Sequence, residues 1–304
     1  MKKINLFASF LILTQVLISQ QEGMLSQYMY SGLYINPAFS GTQAFSEVNA
    51  IYRKQWVNFD GAPASQILSA EGAVKEKNMG WGAILMNDKI GVSCRTDIHL
   101  NYSYHIRTGK DSKLSLGLRG GASYSRANLT DLKVWDGNDQ VFASNLNNLW
   151  MPNAGVGLFY LAQNFYSGLS CPNVVDYTNR DIFFNSSVTP RFVPHYYLTC
   201  GYVIKSVKDI DLKPSFLIKF VPFAPVQADL NLIADYKNKL SLGVSYRTMD
   251  GIIALIQIVM KEDWRLGYSY DYPFTKLNQY TYGSHEIMLS FRFNHLKGKN
   301  IASF

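Results

Sequence analysis

From about residue 46 onward, apolar and polar residues alternate with a period of two. Leu240, Leu242, Val244 and Tyr246 fall on one face of a segment whose other face is Ser241, Gly243, Ser245 and Arg247. The same alternation runs through 98–107, 114–119, 264–272 and 287–293. Such a period puts one face of a β-strand in an apolar medium and the other in a polar one. Downstream of residue 20 no segment carries a 3.6-residue apolar stripe. The pattern predicts strands near 46–57, 64–74, 78–87, 92–107, 113–126, 153–162, 165–171, 194–206, 212–221, 225–235, 239–247, 251–260, 264–272 and 284–294.

Two kinds of connection alternate between them. Short charged ones lie at 75–78, 108–111, 207–211, 236–239 and 261–263; longer irregular ones lie at 58–63, 127–150, 171–193 and 273–283. Tight turns on one side and long loops on the other mark an up-and-down antiparallel transmembrane β-barrel of the outer membrane, here with about fourteen strands. An even count returns the C-terminus to the periplasmic side. A soluble sandwich also alternates, but here the apolar face is Leu, Tyr, Phe and Trp, while the other is small and polar. No blade-length repeat supports a propeller. Two segments depart from the rule. Residues 251–260 are apolar on both faces, so inward Ile253, Leu255 and Val259 require an apolar partner, either a folded-in loop or the N-terminal segment. Pro214 lacks the N–H a ladder needs and is expected at the start of its strand.

Composition fits lipid contact. Charged residues are 17% of the chain, against about 25% in soluble domains, and aromatics are 14%. Residues 1–19 read as a signal peptide: Lys2 and Lys3, then the apolar stretch Ile4–Ile18, too short to span a bilayer. Its removal takes two lysines and lowers the formal charge from +7 to +5. No dense basic run suggests nucleic acid, and contact with anionic membrane lipid headgroups is the expected use of the mild excess. The remaining organisation is an aromatic N-terminal segment at 20–45, a barrel at 46–294 and a periplasmic tail at 295–304.

Chemistry is sparse. His99 and His105 share a polar face but lie about 20 Å apart along the strand, too far to share a metal. No nucleophile elbow, H-E-x-x-H, phosphate loop or zinc spacing occurs. His285 and Glu286 read as rim residues; a hydrolase built on His285 is the weakest alternative. Asp136 to Asp139 reads as a turn rather than a calcium loop. Cys94, Cys171 and Cys200 are odd in number, and their pairing is open. Neither a cofactor nor catalysis is expected. A passive or ligand-selective pore is the main alternative, with Arg107, Arg119, Arg247 and Arg265 lining its path.

The least ordinary stretch is 27–41, aromatic, turn-rich and uncharged. It suits packing in the lumen or docking at the periplasmic mouth. The next block carries Arg53, Lys54 and Trp56 toward an outer loop. Four blocks, Tyr34-Ile-Asn-Pro-Ala-Phe-Ser-Gly41, Tyr52-Arg-Lys-Gln-Trp56 with Asp60-Gly-Ala-Pro63, Asn87-Asp-Lys-Ile-Gly91 and Gly283-Ser-His-Glu-Ile-Met-Leu289, together resemble the PorP/SprF family of the type IX secretion system. The middle, 127–239, carries no such block. The resemblance implies a non-enzymatic outer-membrane protein serving export or surface attachment of a secreted cargo, such as a gliding adhesin with a C-terminal sorting domain. It also implies contact with periplasmic ring lipoproteins of the machine. Tyr34, Asn36, Pro37 and Phe39 are then expected in lumen packing or docking, and Arg53, Lys54, Trp56 and Asp60 at the neighbouring rim.

Overall fold

The computed structural model describes residues 23–43, 45–131, 145–175, 193–205, 209–261 and 263–293. The signal peptide, the 136–139 turn, His295 and the tail lie outside them. Fourteen antiparallel strands close into a barrel. They are β1 (Ser46–Lys54), β2 (Ala64–Ala73), β3 (Met79–Ile90), β4 (Ser93–Arg107), β5 (Lys113–Ala127), β6 (Leu146–Leu161) and β7 (Phe165–Cys171). Then come β8 (Tyr196–Tyr202, resuming at Ile204–Lys205), β9 (Ile210–Phe220), β10 (Gln227–Tyr236), β11 (Leu240–Arg247), β12 (Gly251–Lys261), β13 (Trp264–Pro273) and β14 (Ser284–Phe293). Every strand pairs with its chain neighbours, and β1 pairs with β14 to close the ring. No helix among the described residues is long and apolar enough to cross a membrane; the strands do so.

The long connections leave one rim, called here the loop rim. Both ends of the barrel segment, Ser46 and Phe293, lie at the other, the terminal rim. The strict alternation of turn lengths fails at two places on the loop rim. Gly91 and Val92 alone join β3 to β4, with Gly91 at φ +57°, and Thr248–Asp250 join β11 to β12. A left-handed φ costs a glycine nothing, so a two-residue reversal suffices.

Strand limits agree with the alternation except at β6, which starts at Leu146 rather than near 153. Its Asn and Pro residues resemble a loop, yet the long β5 offers them a partner through Ala127. Pro152 is tolerated because it lies beyond Val156, where the β6–β7 ladder ends. Pro214 is not a first residue; it is the fifth of β9. It lies opposite Tyr202, and the N–H it lacks is missed where the pairing of β8 with β9 is itself interrupted, between the Gly201–Ser215 and Ile204–Leu212 pairs.

Paired residues share a face, and on the outward face of β3–β6 they form rows that run perpendicular to the tilted strands. Asn87, Thr96, Tyr124 and Trp150 make one row. Below it lie Leu85, Ile98 and Ala122, then Leu100, then Trp81, Tyr102 and Leu118, then Tyr104 and Leu116. From Thr96 to Tyr104 is about 27 Å along the strand, or about 21 Å along the axis at a tilt near 40°. That matches an apolar band between two aromatic girdles in an outer-membrane barrel.

Candidate functional site

The inward face does not enclose an open channel. Residues 23–43 run through the lumen as an irregular plug of short turns: 3-10 helices at Tyr28–Tyr30 and Pro37–Phe39, with one helical turn at Gly32–Ile35 between them. Asn36 explains the Asn-Pro pair. Its side-chain oxygen accepts from the Ala38 amide at 2.9 Å as an N-cap, and Pro37 follows where no N–H is needed. The direction is defined at both ends. Gly23 lies beside Ser65 and Asp88 near the loop rim, whereas Gly41 lies against Gly72 and Gly80 at the terminal rim.

Apolar packing fills the middle. Leu25, Tyr28, Leu33, Ile35 and Phe39 of the plug meet Ile51, Ile67, Met86, Phe159, Leu217 and Met288 of the wall. Phe39 stands edge-on to Phe159, with ring centroids 5.3 Å apart. The wall comes close enough only because β5 and β6 carry glycines there. A β-carbon at Gly117 would collide with the Ala38 amide, and one at Gly157 with the Asn36 side chain. Ile253 and Leu255 of β12 are buried as well; Leu255 shares the space over Gly243 with Ile233, itself part of the plug core.

Polar contacts hold the plug in register. Near the loop rim, Arg53 donates to Ser26 Oγ at 2.6 Å and to Asp271 at 2.7 Å, and reaches Glu286 at 3.3 Å. The Glu286 carboxylate accepts from the Ser26 and Gln27 amides at 2.8 and 2.9 Å. Ser26 Oγ also meets Asp271 at 2.7 Å. Beside them, Arg247 forks onto Asp229 at 2.9–3.1 Å and donates to the Leu25 carbonyl at 3.1 Å. Asp229 and Glu286 are fully buried. Three carboxylates therefore surround two guanidinium groups, and the plug's own amides supply the balance of positive dipole. Asp250, in the turn above, lies 3.7 Å from Arg247; burial raises its pKa, against the pull of Arg247.

Lower in the lumen, Arg119 donates to the Leu33 and Tyr34 carbonyls at 2.6 and 3.2 Å. Asn36 donates to the Leu158 carbonyl at 2.9 Å, Ser170 to Ile35 at 2.6 Å, Ser103 to Ser40 at 2.6 Å, and Lys113 to Thr42 at 2.7 Å. Apart from the Leu158 carbonyl of β6, every backbone carbonyl so gripped belongs to the plug, which forms no ladder, so the strands supply the partners. Beside Tyr34 a small cavity of about 30 Å3 remains, bordered by Met86, Asp97, His99, Arg119 and Tyr197.

The expected residues divide between two places. Asn36, Pro37 and Phe39 are buried in the plug and Tyr34 partly so. Arg53 is on β1 and points inward rather than into the loop; Lys54 is its outward neighbour. Trp56 is the second residue of the loop, at φ 46°, and Asp60 is exposed on it. This loop is tied to its neighbours. The Val57 amide donates to the Gly283 carbonyl at 2.8 Å, and the Gly91 amide to the Gly61 carbonyl at 2.9 Å. Three of the four sequence blocks thus meet at the loop rim, and the fourth fills the lumen below.

Glu286, Asp271, Asp229 and Ser26 were missed. Glu286 is no rim residue: it points inward while His285 points outward, where its Nδ1 lies 2.7 Å from the Tyr268 hydroxyl. The signal lies in the register, where Arg53 pairs with Glu286 and Asp229 with Arg247. Of the arginines expected along a pore, Arg119 and Arg247 are bonded to the plug, Arg265 is half-buried and Arg107 is exposed at the terminal end of β4. Cys94, Cys171 and Cys200 carry free thiols, and no metal-binding group of His, Cys, Asp or Glu occurs among the described residues.

Residues 17–291 match the family model described as "Type IX secretion system membrane protein PorP/SprF". No curated protein matches the chain. Among solved structures, the CymD monoaromatic hydrocarbon channel is similar at a TM-score of 0.48 and 11% identity, over 90% of this chain and 94% of that one. The P. putida toluene transporter TodX gives 0.48 and 10% over the same shares. The Acinetobacter baumannii outer membrane protein Omp33 gives 0.44 and 11%, over 84% of this chain and 99% of that one.

Proposed function

Since the chain belongs to the PorP/SprF family of type IX secretion membrane proteins, we propose that it works in the outer membrane as a plugged, non-conducting barrel. In this reading it supports export or surface attachment of a secreted cargo by presenting a rigid rim to that cargo's sorting domain or to periplasmic partners of the machine. It performs no catalysis. The observation that carries the reading is the plug. A porin needs a lumen lined by solvated polar groups, whereas here inward Arg247, Arg119 and Lys113 each donate to a backbone carbonyl within residues 25–42. The cross-tied loop rim, joined at Val57–Gly283 and Gly61–Gly91, is a firm platform for a protein partner. Such preorganisation lowers the entropic cost of binding.

Affinity purification from native membranes tests this. Co-purified periplasmic ring lipoproteins or one large surface adhesin support it and say which side is engaged. The reading fails if the purified barrel conducts steadily in planar bilayers and deletion leaves surface protein export intact. That result favours the pore.

A further inference from the structure

The outward face of β3–β5 does not end at its aromatic row. One step nearer the loop rim, Lys89 pairs in register with Cys94, and Cys94 with Arg126. Lys89 and Arg126 thus stand on the same face, two strand spacings or about 10 Å apart. Both are exposed, and neither forms an ion pair among the described residues. Two terminal-rim lysines differ: Lys75 has Glu76 at 3.8 Å, and Lys237 has Asp209 at 3.2 Å. In the next row toward the membrane, Asn87 lies under Lys89 and Tyr124 under Arg126, and Trp150 of β6 stands beside Tyr124 with ring centroids 5.1 Å apart. Below these are exposed Ile98 and Leu100.

The sequence of layers is therefore cation, aromatic, aliphatic, read from the loop rim toward the middle of the membrane. Strand lengths confine it to one side of the barrel. β4 and β5 have 15 residues each, enough to stand above the apolar band, whereas β11 has eight. On β11 and β12 the outward apolar residues continue through Tyr246 and Ile252 to the turn, with Met249 exposed on it and no cation in that row.

We propose that this face of β3–β6 is a binding site for a lipid of the outward leaflet whose phosphate-bearing headgroup carries a net negative charge. Lys89 and Arg126 clamp the headgroup phosphate, Tyr124 and Trp150 lie at the glycerol or sugar level, and an acyl chain lies along Ile98 and Leu100. Each element answers one part of such a lipid: guanidinium and ammonium for phosphate, amphipathic rings for the interface, and aliphatic surface for the tail. The proposal rests on the barrel's place in the membrane and not on its part in secretion.

Native mass spectrometry of the full chain in detergent tests it, with phosphatidylglycerol and phosphatidylcholine of identical acyl chains as probes. The wild type is expected to retain phosphatidylglycerol preferentially. Lys89→Gln with Arg126→Gln is expected to lower that preference at least tenfold, and each single change by about fivefold. Lys237→Gln with Lys239→Gln at the terminal rim leaves it unchanged, and millimolar inorganic phosphate does not displace the lipid. An unaltered preference in the loop-rim double variant overturns the proposal, as does an equal loss in the terminal-rim control or complete displacement by phosphate. Both targets are exposed, and retention of heat-modifiable gel mobility verifies the fold. If the double variant fails that check, the single variants decide.

Discussion

Replacing Arg53 by Ala tests whether the plug is held by charge or only by packing. Arg53 is 3% exposed and touches Ser26, Asp271 and Glu286. Its loss leaves two buried carboxylates facing each other with only the amides of Ser26 and Gln27 and the more distant Arg247 to compensate. Breaking a buried pair by removing one partner costs about 3–5 kcal/mol. That penalty falls on the plugged state, because in the open state water solvates both acids, while the closed ladder of fourteen strands is retained either way. The open fraction should therefore rise by roughly 10²- to 4 × 10³-fold. Single-channel recording in planar bilayers reads the openings, and protease cleavage within 23–43 reads plug release. Adding Glu286→Gln to Arg53→Ala removes the stranded charge and should recover a large part of the loss, a coupling of at least about 1 kcal/mol between neighbours. If Arg53→Ala neither conducts nor becomes cleavable, or if the two changes simply add, the latch reasoning is refuted.

Further tests follow from the same geometry. Gly117→Val places a branched side chain where Ala38 sits and should destabilise the seated plug by about 1–3 kcal/mol, seen as faster cleavage of residues 23–43 at unchanged barrel mobility. Asp250 has a raised pKa in the folded protein, so the folded state holds its proton more tightly than the unfolded one. Its contribution is thus unfavourable at neutral pH and is relieved as pH falls through that raised value; Asp250→Asn should raise the unfolding temperature at neutral pH and flatten its acid dependence. An epitope inserted directly before Gly23 should be detected on intact cells, because the plug starts at the loop rim; one at 237–239 should need permeabilised cells.

The period-two pattern was sufficient for the barrel, its strand number and nearly all strand limits. The physical reason is local: a strand between lipid and a polar lumen must alternate, and each residue's face follows from its parity. The oddity of 27–41 was legible for the same reason, since an uncharged aromatic stretch outside any strand needs a surface to cover it. So was the apolar inner face of β12 at Ile253 and Leu255. What parity could not supply was level. Arg53 and Glu286 are 233 residues apart, and Asp271, Asp229 and Arg247 lie on three other strands. Their meeting depends on barrel closure through β1 and β14 and on the register of each hairpin. Only the tertiary structure decided that an arginine and a glutamate that read as rim residues form a buried latch. It also decided that the plug runs from the loop rim to the terminal rim. A lone inward charge is ambiguous in sequence; it acquires a role only when the closed sheet brings its partner to the same height in a lumen without water to solvate it.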